Sequence, residues 1–132
     1  MILLSTEQRR QLRANAVVRE MHARRGWPEP DHCPVVKFFN PLGAATWLAT
    51  ELDRDGETLF GLADLGFGCP ELGSFSLFEI SLVRLPHGLK IERDEDFQTA
   101  HPLSLWAEAA RRSGSIIGAQ AALAATPPPP SN

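Results

Sequence analysis

The stretch "VVKFFNPLGAATWLATELDRDGETLFGLAD", residues 35–64, decides how this chain is read. Its polarity changes with a period of two, the mark of strands whose successive side chains face opposite sides of a sheet. "VVKFF" reads as a first strand. Asn40, Pro41 and Gly43 then fill the first, second and fourth positions of a type I turn. In the second strand Thr46, Leu48, Thr50 and Leu52 alternate with Trp47, Ala49 and Glu51, and Asp55-Gly56 closes a second hairpin before a third strand, "TLFGLAD". Connections this short permit only antiparallel pairing, because a parallel crossover needs about a dozen residues or more.

Working outward to the N-terminal side, Ser5 and Gln8 form a capping box, and Gly26 with Pro28 forms a stop, so residues 6–25 are predicted to be helical. Ala14, Val17, Val18 and Met21 fall at helical spacing and are expected to face the core. Arg9, Arg13 and Arg24 share a flank of that helix with Glu20. They form a candidate phosphate-binding row, weighed against an ordinary solvated face with a local ion pair.

On the C-terminal side, "SLVRL", the turn "PHG" and "LKIER" predict a further hairpin, with Gly88 in the unusual backbone conformation. Pro102 and Gly114 bound a second helix whose Leu103, Trp106, Ala107 and Ala110 lie on one face. Trp47 and Trp106 are expected in the core and Trp27, between Gly26 and Pro28, nearer the surface. Residues 115–132 show weak helical character and run into four prolines, so they are read as a weakly structured, Pro-rich tail dispensable for folding. The expectation is one α+β domain over residues 1–114. It has an N-terminal helix, an antiparallel sheet of about five strands in meander or hairpin order, and a C-terminal helix on one face.

Between the third strand and the last hairpin lies "LFGLADLGFGCPELGSFSLFEI", from Leu59 to Ile80. Gly66, Gly68 and Gly73 bracket Cys69, Pro70, Glu71 and Leu72, which suggests a loop whose backbone takes angles that glycine tolerates. No Walker-type spacing is present, and no basic residue stands between Gly61 and Ile80, so the loop is not a phosphate cradle. Ser76 and Glu79 form another capping box and mark a short helical turn. Asp64 and Glu71 flank the loop, and Glu51 is available from the neighbouring strand. Three carboxylates could hold a hard cation for a metal-dependent hydrolase or nuclease. The competing reading has Asp64 and Glu71 accepting hydrogen bonds from loop amides. No serine, histidine or lysine stands in a recognised catalytic pattern, and no cofactor is expected.

Composition narrows the function classes. The 132 residues carry a net charge of −3, unevenly spread. Six arginines stand against two glutamates in residues 1–25, whereas five basic side chains stand against thirteen acidic ones in residues 26–100. A body this acidic repels phosphates unless the first helix alone makes the contact, so nucleic acid is the weaker candidate partner and another protein the stronger. The apolar runs fall short of the roughly 18 residues of a membrane span, and "MILL" passes at once into "STEQRR", leaving no apolar leader segment. A cytoplasmic protein is expected. Cys33 and Cys69 lack metal-ligand spacing and are read as free thiols.

The segments "VVKFFNPLGAATW", "FGLADLGFGCPELGSFSLFEI" and "GLKIERDEDF" resemble, in the same order, the signatures of a bacterial domain-of-unknown-function family, the one numbered twenty-nine fifty-eight. The resemblance covers about residues 35–105. It is carried by Lys37, Phe38, Pro41, Gly43, Thr46 and Trp47, by Phe60, Gly61 and Leu62, by Glu71, Leu72 and Gly73, by Ser76, Leu77 and Glu79, and by Ile91, Glu92, Arg93 and Asp94. Two features depart from the pattern: Ser74 follows E-L-G where an aromatic is common, and the N-terminal helix is longer. Both bear on what the loop surface recognises. The resemblance implies occurrence on plasmids, integrative elements and phages, and it brings no reaction and no catalytic residue. The expectation is therefore a non-enzymatic accessory protein that binds another protein through a loop surface of Asp64, Phe67, Cys69, Glu71, Leu72 and Gly73.

Overall fold

The computed structural model describes residues 2–127. A helix α1 (Thr6–Arg25) is followed by strands β1 (Val36–Phe39), β2 (Thr46–Leu52), β3 (Thr58–Asp64) and β4 (Glu71–Ser76). Helix α2 (Leu77–Leu82), a 3-10 turn at Pro86–Gly88, β5 (Glu92–Arg93), α3 (Leu103–Ser113) and α4 (Ile116–Ala124) complete the chain. This is an α+β fold with one five-stranded antiparallel sheet in the order β4-β3-β2-β1-β5. The first four strands form a meander, and β5 returns to the far side of β1.

Local chemistry sets the boundaries. Ser5 and Gln8 exchange both capping-box bonds at the start of α1, and Gly26 ends it in the left-handed conformation. The Gly43 amide bonds to the Asn40 carbonyl at 3.2 Å, closing the first hairpin. Asp55 Oδ1 accepts from the amides of Glu57 and Thr58, closing the second. The "SLVRL…LKIER" hairpin is not formed, because Ser76 caps Glu79 and so turns Leu77–Leu82 into α2. Only Glu92–Arg93 survives as strand, paired with β1. Gly88 does take a positive φ, and so does its neighbour His87.

Two clusters of apolar side chains sandwich the sheet. On one face Val36, Phe38, Trp47, Ala49, Leu52 and Leu59 pack with Leu4, Leu12, Ile80 and Ile91. On the other, Leu48 and Leu62 are covered by Leu103, Trp106 and Ala110 of α3 and by Ile116, Ala119 and Leu123 of α4. Trp47 and Trp106 are buried and Trp27 is exposed. The alternation read along β2 breaks at Thr50, where a bulge in the β2–β3 register places Leu52 on the same face as Trp47 and Ala49.

The expected core stripe of α1 is corrected. Leu12, Asn15 and Ala16 are buried, whereas Ala14 is exposed and Val17 is 49% exposed. The cause is polar docking. β1 pairs with β2 only as far as Val36 opposite Ala49, and beyond that point Asn15 Nδ2 donates to the Thr50 carbonyl at 2.9 Å and Arg13 Nη1 to the Leu52 carbonyl at 2.6 Å. These bonds satisfy strand carbonyls that would otherwise be left without a ladder partner, and so they fix which face of the helix turns inward.

The tail reading is corrected as well. Ser115 caps α4, Ile116 is fully buried, and Lys37 Nζ reaches Gln120 Oε1 at 2.7 Å, so residues 116–124 belong to the packed domain. Residues 128–132, with the last three prolines, lie outside the described residues.

Candidate functional site

The segment after β3 divides into a short loop and an edge strand. Asp64, the last residue of β3, is buried; its Oδ1 accepts from the Gly66 amide at 2.9 Å and its Oδ2 from the Ile116 amide at 3.0 Å. The second bond satisfies a first-turn donor of α4, which a helix cannot pair internally. Asp64 is thus a clamp between the loop and the last helix. Gly66 (φ 91°) and Gly68 (φ 82°) both take the left-handed region, and the sharp path pushes Phe67 out to 82% exposure. Leu65 is 58% exposed, and Cys69 lies at the surface with its Sγ 3.8 Å from the Phe67 carbonyl.

Glu71, Leu72 and Gly73, read from the sequence as loop, are strand. They lie opposite Ala63, Leu62 and Gly61 of β3. Gly73 has no positive φ, and a Cβ there would meet open space; its partner Gly61 has the packing role, since a Cβ on it would lie 1.8 Å from the Leu48 carbonyl oxygen. Leu72 is 53% exposed and lies on the face that also carries Leu62.

The three candidate metal carboxylates each have different surroundings. Glu51 is buried and accepts from Arg19 Nε at 2.6 Å, Asp64 is occupied by two amides, and Glu71 is exposed on β4. The bond to Glu51, more than any other influence, raises the Arg19 pKa further. Among the described residues no group of three or more His, Cys, Asp or Glu side chains could hold a metal ion, so these carboxylates do not fit a metal centre. Burial, aided by Asp31, pushes the Cys33 thiol up, away from the thiolate a nucleophile needs. Within the arginine row, Arg9 Nη1 donates to the Gly56 carbonyl at 2.9 Å and Arg13 to Leu52, so both brace the β2–β3 hairpin, while Arg24 is exposed.

Sequence reasoning missed a cleft of about 260 Å³ on the sheet face that carries Phe60 and Ser74. Arg19, Glu29, Glu51 and Asp53 line it together with those two residues. The signal was present only as an acidic Glu51 inside an apolar strand, and the bulge at Thr50 turns it to the same face as Phe60.

The family described as "Protein of unknown function (DUF2958)" matches residues 3–117, a wider span than the motifs alone carry, and the chain belongs to it. No curated protein and no solved structure matches. Among the described residues no helix is long and apolar enough to cross a membrane.

Proposed function

We propose that this member of the family is a non-enzymatic protein-binding module that receives its partner at the free edge of β4 and the adjoining loop. The observation that carries the reading is the contrast between the sheet's two edges. β5 has two residues, both charged, which is the usual way an edge is kept from pairing. β4 has six, with no lysine, no proline and no register shift against β3. Leu72 on the strand, and Leu65 and Phe67 on the preceding loop that Asp64 anchors, are large apolar side chains exposed at the surface. An edge with unpaired backbone and apolar flanks is the surface to which extended segments of other proteins add. Helix α2 also shows Phe78 and Leu82 at the surface, but its backbone is paired within the helix and offers no such edge.

In the setting the resemblance implies, the cytoplasm of a bacterium carrying a plasmid, integrative element or phage, such a module would act as an accessory protein that engages a component of host or element. The test is affinity capture from such a host with the wild-type chain and with a Leu65→Ser, Phe67→Ser, Leu72→Ser variant. These side chains are exposed, so the variant should fold normally. A partner retained by the wild type and lost by the variant is expected. Equal retention by both would contradict the proposal.

A further inference from the structure

The cleft beside β4 points to the chemistry of that partner. β4 and the cleft are continuous: Ser74, on the edge strand, forms one wall, and Phe60, its register partner on β3, another. Leu72 lies two residues before Ser74 and therefore on the same face of the sheet. The edge thus has an apolar end at Leu72, Leu65 and Phe67 and an acidic end where Glu29, Glu51 and Asp53 meet a single cation, Arg19. Arg19 is already bonded to Glu51 and feels the negative charge of Glu20 and Glu29. An anion entering here would face uncompensated carboxylates. A cation would find two exposed carboxylates, Glu29 and Asp53, and an aromatic ring.

Resting on the reading of β4 as a docking edge, we infer that the partner adds an extended segment to β4, bearing an apolar residue beside Leu72 and, two positions along, an arginine or lysine beside Ser74 that enters the cleft. Side chains two apart on an added strand share a face, so the pair matches the spacing of Leu72 and Ser74. A second copy of this chain is the less suitable occupant. It would bring another strongly acidic body, residues 26–100 having thirteen acidic side chains against five basic, to the same place.

The test uses a blocked peptide of alternating threonine and valine with leucine and arginine two residues apart at its centre. Its controls are the same peptide with glutamate for arginine, and an alternately N-methylated version that cannot pair with a strand edge. Binding is read from the amide resonances of residues 71–76 at up to about millimolar peptide, the range of weak complexes. The arginine peptide is expected to bind at least about tenfold tighter than the glutamate peptide, with discrimination lost in Glu29→Gln, Asp53→Asn and binding lost on N-methylation. Equal binding of arginine and glutamate peptides overturns the basic specificity and leaves the docking edge standing. Undisturbed β4 amides, in a chain whose partner capture still depends on Leu65, Phe67 and Leu72, overturn the added strand. A concentration-dependent dimer that shields those amides also overturns it. Discrimination by the peptides, with partner capture indifferent to the three apolar side chains, would instead sink the apolar-patch reading alone.

Discussion

Two strands of one sheet, β2 and β4, have opposite fates. All seven residues of β2 are buried, and none of the six residues of β4 is. Composition does not separate them, since each mixes apolar and small polar residues. Position does. β2 lies at the centre of the sheet, between α3 and α4 on one face and Leu4, Leu12 and Ile80 on the other, and where β1 stops short Asn15 and Arg13 take over its carbonyls. Among the described residues, β4 has a strand neighbour on one side only. The lesson is that this protein closes its sheet with care at β2 and at the charged, two-residue β5, and leaves β4 open.

The sharpest way to break the comparison is at the glycine pair that joins β3 to β4. Gly61→Ala drives a methyl into the Leu48 carbonyl of β2 and should cost about 4 kcal/mol or more, whereas Gly73→Ala, directly opposite on β4, should stay within about 0.5 kcal/mol of wild type. Urea unfolding of the two variants checks this. Similar losses at both positions would mean that β4 is as enclosed as β2.

A smaller effect probes what covers β2. Ile116, fully buried against the face that holds Leu48 and Leu62, should lose about 3 kcal/mol on truncation to alanine; its neighbour Ile117, 53% exposed, should lose less than about 0.5 kcal/mol. Thermal melts of the two single variants measure the difference. A silent Ile116→Ala would restore the dispensable tail.

The smallest effect lies at the hairpin tip between β2 and β3. The Thr58 hydroxyl, then the Thr58 and Glu57 amides, hold the Asp55 pKa below its ordinary value. A depressed folded pKa contributes stability that is complete above the unfolded value of about 3.9 and is lost as pH falls through the folded one. The stability gap between wild type and Asp55→Asn should therefore narrow as pH drops below about 4. Denaturant titrations across that range test it, and a gap independent of pH would remove Asp55 from the acid response.

The first three strands of the meander were legible in the sequence because period-two patterning and two turn motifs each specify a local geometry, although the bulge at Thr50 interrupts that period and β4 was read as loop. The caps of α1 and α3 were legible for the same reason. What escaped was whatever depends on distant partners. The buried face of α1 is set by Asn15 and Arg13 reaching β2 carbonyls, so apolar periodicity picked Ala14 and Val17 instead. α4 is short and shows no clear apolar stripe, and it is held by contacts of Asp64 and Gln120 that no local pattern announces. At the candidate site, the glycines correctly marked a shaped turn at Gly66 and Gly68, but Gly73 was drawn into the same loop although it is a strand residue. Glu51 was read as one of three carboxylates that could hold a cation; its bond to Arg19, on a helix thirty-two residues away, could not be read from spacing.

The most direct test of the account is site-specific photocrosslinking in the bacterial host, with the reactive residue placed at position 72 on β4 in one protein and at exposed position 14 on α1 in another. The account predicts a discrete adduct with one partner from position 72 and none from position 14. An adduct from position 14 alone, or equal adducts from both, would contradict it.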